Sequence, residues 1–122
     1  MEKTIIFVLD RSPFGTIWNL EGLRLASAVV SLDMEVKLLL IDDGVFVAVE
    51  GHQPDLIMRS PIDMLVQMIL MISETAEVLV VQESLQERGL SDEDLELEFE
   101  PKIISLETAA QTISSAFTTI VI

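Results

Sequence analysis

Asp10, the pair Asp42 and Asp43, and Glu83 each stand at the end of a short apolar run. If those runs are parallel strands, the four carboxylates gather along one edge of a sheet, where a magnesium or similar divalent ion could relieve their repulsion. A phosphoryl receiver arranges acids in this way. Here, however, no acid after a third strand is isolated as a phosphoacceptor, and Lys102 precedes a helix instead of following a late strand. Loop carboxylates are ordinarily solvated, so no metal site is assigned and these acids stand only as weak candidates. Ser12-Pro13-Phe14-Gly15 could offer backbone N–H groups to an anion, but it lacks the glycine spacing of a phosphate or dinucleotide loop and reads as a rigid turn. Ser12 and Ser84 have no base nearby in sequence, which leaves them weak nucleophiles. His52, the one histidine, sits in Gly51-His52-Gln53-Pro54 and reads as a solvated turn residue. Phe14 and Trp18 could form an aromatic contact surface, although Trp18 at a helix start more often packs.

The 122 residues include no cysteine. That excludes a thiol nucleophile, a redox pair, a thiolate zinc site and a disulfide framework. No acid–base pair or nucleophile stands out from loop composition, so neither catalysis nor a cofactor is expected. With 21 acids against 7 bases, the net charge of −14 opposes unassisted binding to nucleic acid or an anionic membrane. Apolar runs end after a few residues, far short of the ~20 that cross a bilayer, and a cytoplasmic protein is expected. Half of the residues are apolar, enough for residues 1–122 to fold as one domain without a staple.

The elements that must position these residues alternate. Thr4 to Leu9 reads as a strand buried on both faces and ended by Asp10-Arg11. Leu20, Leu23, Ala26, Val29 and Val30 recur at helical spacing within Ile17 to Leu32, with Thr16 as a plausible N-cap. Val36 to Ile41 is a second strand, which the intervening helix makes parallel to the first. Val45 to Glu50 suits a short helical turn. Ser60 as N-cap and Pro61 at the first helical position open a second long helix, followed by a strand from Glu77 to Gln82. Gly89 is expected in the left-handed conformation after a helical turn. From Asp94 to Glu100, acids alternate with Leu95, Leu97 and Phe99, a period of two that predicts a half-exposed strand. Lys102 to Ile104 continues it or stands alone, and Pro101 demotes it to a sheet edge. Ser105 caps a third helix with a stripe of Leu106, Ala109, Ala110 and Ile113, and the apolar run Thr118 to Ile122 is expected as a strand inside the sheet. This pattern predicts a three-layer α/β/α sandwich around a mainly parallel sheet.

In the second helix, Ile62, Met64, Leu65, Val66, Met68, Ile69, Leu70, Met71 and Ile72 surround only Asp63 and Gln67. A helix apolar nearly all round is buried nearly all round. An outer-layer helix has only one face for its own core, so Met64, Met68, Met71 and Ile72 are expected at a subunit interface.

Asp10-Arg11-Ser12-Pro13-Phe14-Gly15, then Leu20-Glu21-Gly22-Leu23, Asp42-Asp43-Gly44-Val45-Phe46, Gly51-His52-Gln53-Pro54 and Ser84-Leu85-Gln86-Glu87-Arg88-Gly89-Leu90 together resemble the DsrE/DsrF-like family, and its TusC/DsrF branch most closely. The family-motif loops contribute Arg11, Pro13, Phe14, Gly15, Asp43, Gly44, Gln53, Arg88 and Gly89. The resemblance implies a five-stranded α/β sandwich, assembly into dimers, trimers or hexamers, and a place in a sulfur relay serving tRNA 2-thiouridine synthesis or sulfur oxidation. It further implies a sulfur-carrying cysteine near the end of the third strand in active members, a position falling among Gln82, Glu83 and Ser84 here. With no cysteine, the chain matches a noncatalytic subunit that scaffolds the assembly, either as a homo-oligomer or with cysteine-bearing DsrE-like subunits. The alternative reading is a regulatory domain that binds a small molecule or divalent metal at the acidic strand ends.

Overall fold

The computed structural model describes residues 3–12, 18–32, 34–49 and 61–122. Strands β1 (Thr4–Leu9), β2 (Glu35–Leu40), β3 (Glu77–Val81), β4 (Lys102–Ile104) and β5 (Thr118–Val121) form one sheet in the order β4-β3-β2-β1-β5. Every pairing is parallel, and Phe7 lies beside both Leu38 and Ile120. Helices α1 (Trp18–Val30), α2 (Pro61–Ile72), α3 (Gln82–Glu87) and α4 (Leu106–Ser115) lie between strands. The chain steps from β1 through β2 and β3 to β4 in one direction and then returns across the sheet to β5. A right-handed crossover consequently puts α1 and α2 on one face and α4 on the other.

Alternation along the strands divides the core between those faces. Ile5, Phe7 and Leu9, with Val36, Leu38, Leu40, Val78 and Val80, pack against Leu23, Ala26 and Val30 of α1 and Val66 and Ile69 of α2. Ile6, Val8, Leu39, Leu79 and Val81 pack against Ala109 of α4. Central parallel strands are apolar on both faces because helices cover both. The α4 face turns polar toward the amino ends of its strands, where Lys37 approaches Glu77 at 3.5 Å and Glu35 at 4.0 Å, and Lys102 pairs with Glu77 from the β4 side.

The Lys102 hydrogen bond holds the Glu77 carboxyl below its usual 4.5, opposed by partial burial and helped by the positive charges of Lys102 and Lys37. A depressed folded-state pKa contributes stability that is present above the unfolded value and fades as pH falls through the folded one. Glu77→Gln should therefore cost about 0.5–1 kcal/mol at neutral pH, in line with partly exposed pairs, and the gap to wild type should close below pH 4.5. Urea titrations across that range measure it, and a gap unchanged in acid would show that the ladder contributes no charge-dependent stability.

Three expectations are corrected. The segment from Asp94 to Glu100 is not a strand: it forms 3-10 turns at Asp92–Asp94 and Leu97–Phe99, with one antiparallel bridge between Val49 and Leu95. Leu95 and Phe99 are buried while Leu97 is 79% exposed, so the apolar residues do not share a face. The Ser91 N–H donates to Asp94 at 2.9 Å and Glu100 takes a left-handed φ of 46°, so local side-chain and turn chemistry outcompetes a ladder. The run Thr118 to Ile122 lies at the sheet edge, paired with β1 alone. Its apolar character is used on one face, where Ile120 and Ile122 join the α1 core while Val121 stays exposed. In α4, only Ala109 of the expected stripe is buried, since this single helix sits over the sheet centre and leaves Leu106, Ala110 and Ile113 outward.

The remaining elements follow the sequence with small shifts. The turn expected from Val45 to Glu50 is a 3-10 helix at Asp42–Ala48, and β3 ends one residue early because α3 begins at Gln82. Ser105 caps α4 by accepting the Thr108 N–H at 3.1 Å, and Gly89 has a φ of 68°. Thr16 and Ser60, named as helix caps, lie outside the described residues.

Candidate functional site

The carboxyl ends of the parallel strands bring together most of the residues singled out for chemistry, and their polar atoms are largely committed to one another. Ser84, in the first turn of α3, is buried, and its Oγ accepts the Asp42 backbone N–H at 2.9 Å. Arg88 donates from Nε to Asp43 Oδ1 at 3.0 Å and from Nη1 to the Ser84 carbonyl at 3.1 Å. Glu83 turns the other way, accepting the Leu106 N–H at 2.9 Å and helping to cap α4. The 3-10 turn after β2 is thus clamped to α3, and α3 to α4. Asp42 adopts φ 53°, which lets its N–H reach Ser84.

Two glycines of the motif segments, Gly44 in the turn after β2 and Gly22 within α1, have geometric reasons. A Cβ on Gly44 would lie 1.7 Å from the Leu9 carbonyl oxygen, so the turn crosses the end of β1 at a distance only glycine permits. A Cβ on Gly22 would meet Ile122 Cδ1 at 1.7 Å, so this side of α1 is the seat of β5. Nearby, Asn19 is fully buried and donates from Nδ2 to the Arg11 carbonyl at 2.7 Å, tying α1 to the end of β1. The sequence reading passed over Asn19, whose signal was a polar residue on the apolar side of a helix.

Of the four acids considered for a metal, Asp43 and Glu83 are engaged as described, and Asp42 is exposed with its backbone turned to Ser84. Asp10 keeps one buried carboxylate oxygen without a hydrogen-bond partner. Among the described residues, no group of three acids or histidines comes close enough to hold an ion. Ser84 is poorly placed as a nucleophile because its hydroxyl is buried and already accepts a hydrogen bond. Pro13, Phe14, Gly15, His52 and Gln53, and the side chain of Trp18, lie outside the described residues, while Ser12 is partly exposed after β1.

The position implied for a sulfur-carrying cysteine is the β3–α3 junction. Gln82 is exposed there, Glu83 is partly buried and Ser84 is enclosed. None of the three can take sulfur, since the relay step requires a thiolate.

The second feature is a surface. Across α2, Val66 and Ile69 fill the core, while Met64, Met68, Met71 and Ile72 are exposed, Met71 at 85%. With Leu20 and Arg24 of α1 they line a shallow apolar groove. Among the described residues, no helix is long and apolar enough to cross a membrane.

A sequence model described as the DsrE/DsrF-like family matches residues 3–122. The chain is 34% identical over 89 residues to the protein TusC of Escherichia fergusonii, covering 72% of this chain and 73% of that one. It is 29% identical over 100 residues to a TusC homolog of Pseudomonas aeruginosa, covering 82% and 83%. Among solved structures, the ychN protein from E. coli superposes over the whole of both chains with a TM-score of 0.81 at 23% identity, a likeness of fold.

Proposed function

Because the chain belongs to the DsrE/DsrF-like family, on its TusC/DsrF branch, we propose that it is a noncatalytic subunit of a sulfur-relay assembly, positioning a cysteine-bearing relative that carries the sulfur. The observation that carries this reading is the Met64, Met68, Met71 and Ile72 face of α2, turned to solvent in a chain that has no sulfur acceptor of its own. An apolar face of this kind is costly in water and suits a contact between subunits. Methionine side chains are flexible enough to fit a related but non-identical neighbour. With −14 net charge, a tight contact must be apolar at its centre, with acids at the rim. Sulfur then passes as the terminal sulfur of a persulfide on the partner: an acceptor thiolate attacks it, the S–S bond breaks and the partner's cysteine leaves as a thiolate, in the cytoplasm, toward tRNA 2-thiouridine synthesis or sulfur oxidation. This chain supplies orientation and contacts no nucleic acid itself.

Affinity purification of the intact protein from its native source tests the assignment, which expects a cysteine-bearing DsrE-like subunit to be recovered with it. Met71→Asp should weaken that capture at least about tenfold, as for a charge set into an interface centre, with circular dichroism unchanged because Met71 contributes little to its own core. Recovery of the protein alone, or capture indifferent to Met68→Asp and Met71→Asp together, would remove the relay-subunit reading.

A further inference from the structure

We infer that Met64, Met68 and Met71 form a reversible oxidation site on α2, where a peroxide converts the thioethers to sulfoxides and so blocks docking of the relay partner on that face. For the partner this rests on the relay-subunit reading. In a chain without cysteine, methionine sulfur is what a mild two-electron oxidant attacks first. The three α2 methionines are 54%, 41% and 85% exposed in chain order, and their spacing of four and then three residues lines the sulfurs along one stripe of the helix. Among the described residues, every exposed methionine lies on α2. Met34 packs against the core, and the exposed apolar side chains outside α2, such as Leu25, Leu32 and Leu97, carry no sulfur.

The reaction needs only an accessible lone pair and hydrogen peroxide. Sulfur attacks one peroxide oxygen, an S–O bond forms as the O–O bond breaks, and the proton on the attacked oxygen passes to the departing hydroxide, which leaves as water. Sulfur loses two electrons and the peroxide gains them. A thiol-dependent sulfoxide reductase reverses the change, releasing the oxygen as water while two thiols become a disulfide. The sulfoxide oxygen is a strong hydrogen-bond acceptor, and against an apolar partner it would be desolvated with no donor opposite it. In the free subunit it stays in water. The fold is spared because Val66 and Ile69, not the methionines, carry the packing of α2 into the core. Since assembly covers the face, oxidation acts on the unassembled subunit.

Hydrogen peroxide on the full-length protein, followed by mass spectrometry of its peptides, should add one oxygen at Met71 first and then at Met64 and Met68, with Met34 several-fold slower. Circular dichroism should not change, and a methionine sulfoxide reductase should restore the original mass. Used as bait after the peroxide is removed, the oxidised protein should recover the cysteine-bearing DsrE-like subunit at least about tenfold less well than untreated protein. A variant combining Met64→Leu, Met68→Leu and Met71→Leu, oxidised in the same way, should recover it undiminished. Met34 reacting before the α2 methionines, undiminished recovery by the oxidised wild type, or an equal loss in the leucine variant would each overturn the oxidation site and leave the relay reading standing. Failure of the untreated protein to recover the subunit would remove that reading and the oxidation control together.

Discussion

Gly44→Ala should destabilise the protein by about 3 kcal/mol or more, at or above the upper end of overpacking effects. The reason is local and covalent. The added Cβ would stand 1.7 Å from the Leu9 carbonyl oxygen and 2.5 Å from its carbonyl carbon, so relief requires the end of β1 or the turn after β2 to move as backbone. Neither is free to do so. Leu9 is fully buried, its carbonyl accepts the Ile41 N–H at 3.1 Å, and the turn itself is held by Ser84 and Arg88. Set against the roughly 5–15 kcal/mol that holds a domain together, such a loss leaves the fold marginal. Urea unfolding of the purified variant measures it. A stability within about 0.5 kcal/mol of wild type would mean that the turn crosses β1 farther away. Arg88→Ala, which releases the same turn from one side only, should cost less, about 1 kcal/mol, as expected for a partly exposed charged hydrogen bond.

Gly44 also marks how far the site could be read from sequence. Its place in Asp42-Asp43-Gly44-Val45-Phe46 was visible as a motif, and so were Asp43 and Arg88. That the two form an ion pair, with Ser84 between them and the turn, was not visible. They are far apart in sequence, and their meeting depends on β2 and β3 being neighbours in register. The same neighbouring commits acids that looked free to share a metal. Sequence places charges at strand ends well, but whether a carboxylate there meets a cation, a helix N-terminus or water is decided by which loops abut.

The fold was legible where burial and periodicity agree. Thr4 to Leu9 is apolar on both faces and became the interior strand β1, and the nearly unbroken apolar run that opens at Pro61 gave the twelve residues of α2. The failures share a cause. Leu95, Leu97 and Phe99 repeat at a strand's period, yet Leu97 points to water, because a period of two in so short a segment is also compatible with consecutive tight turns. The last strand was expected inside the sheet because it is an apolar run with no polar tail. Apolar composition shows that a strand is buried on at least one face, whereas strand order is a property of the crossovers. Lys37 was a missed signal of another kind: alternating with Val36 and Leu38, it announced that the amino-terminal half of the α4 face is polar.

Removing Ile120 to Ile122 should cost about 3 kcal/mol, less than a fully interior strand would lose but still a large share of the total. Each isoleucine would contribute roughly 1.5–3 kcal/mol if fully enclosed; Ile120 and Ile122 are partly buried against the α1 core and Val121 is mostly exposed, so the side chains account for about 2 kcal/mol. The lost backbone bonds to β1, that from the Ile122 N–H to the Val8 carbonyl among them, add about 1 kcal/mol or more. For a domain of this size the sum corresponds to a melting temperature lower by about 10 °C. Ile122 should dominate, because its side chain occupies the space that Gly22 leaves beside α1. Ile122→Ala should reproduce a substantial part of the loss, and Val121→Ala almost none. Thermal melts of the three variants measure this contribution. A truncated chain that melts with the full-length protein would show that β5 frays independently of the sheet, and that Gly22 is small for a reason other than seating Ile122.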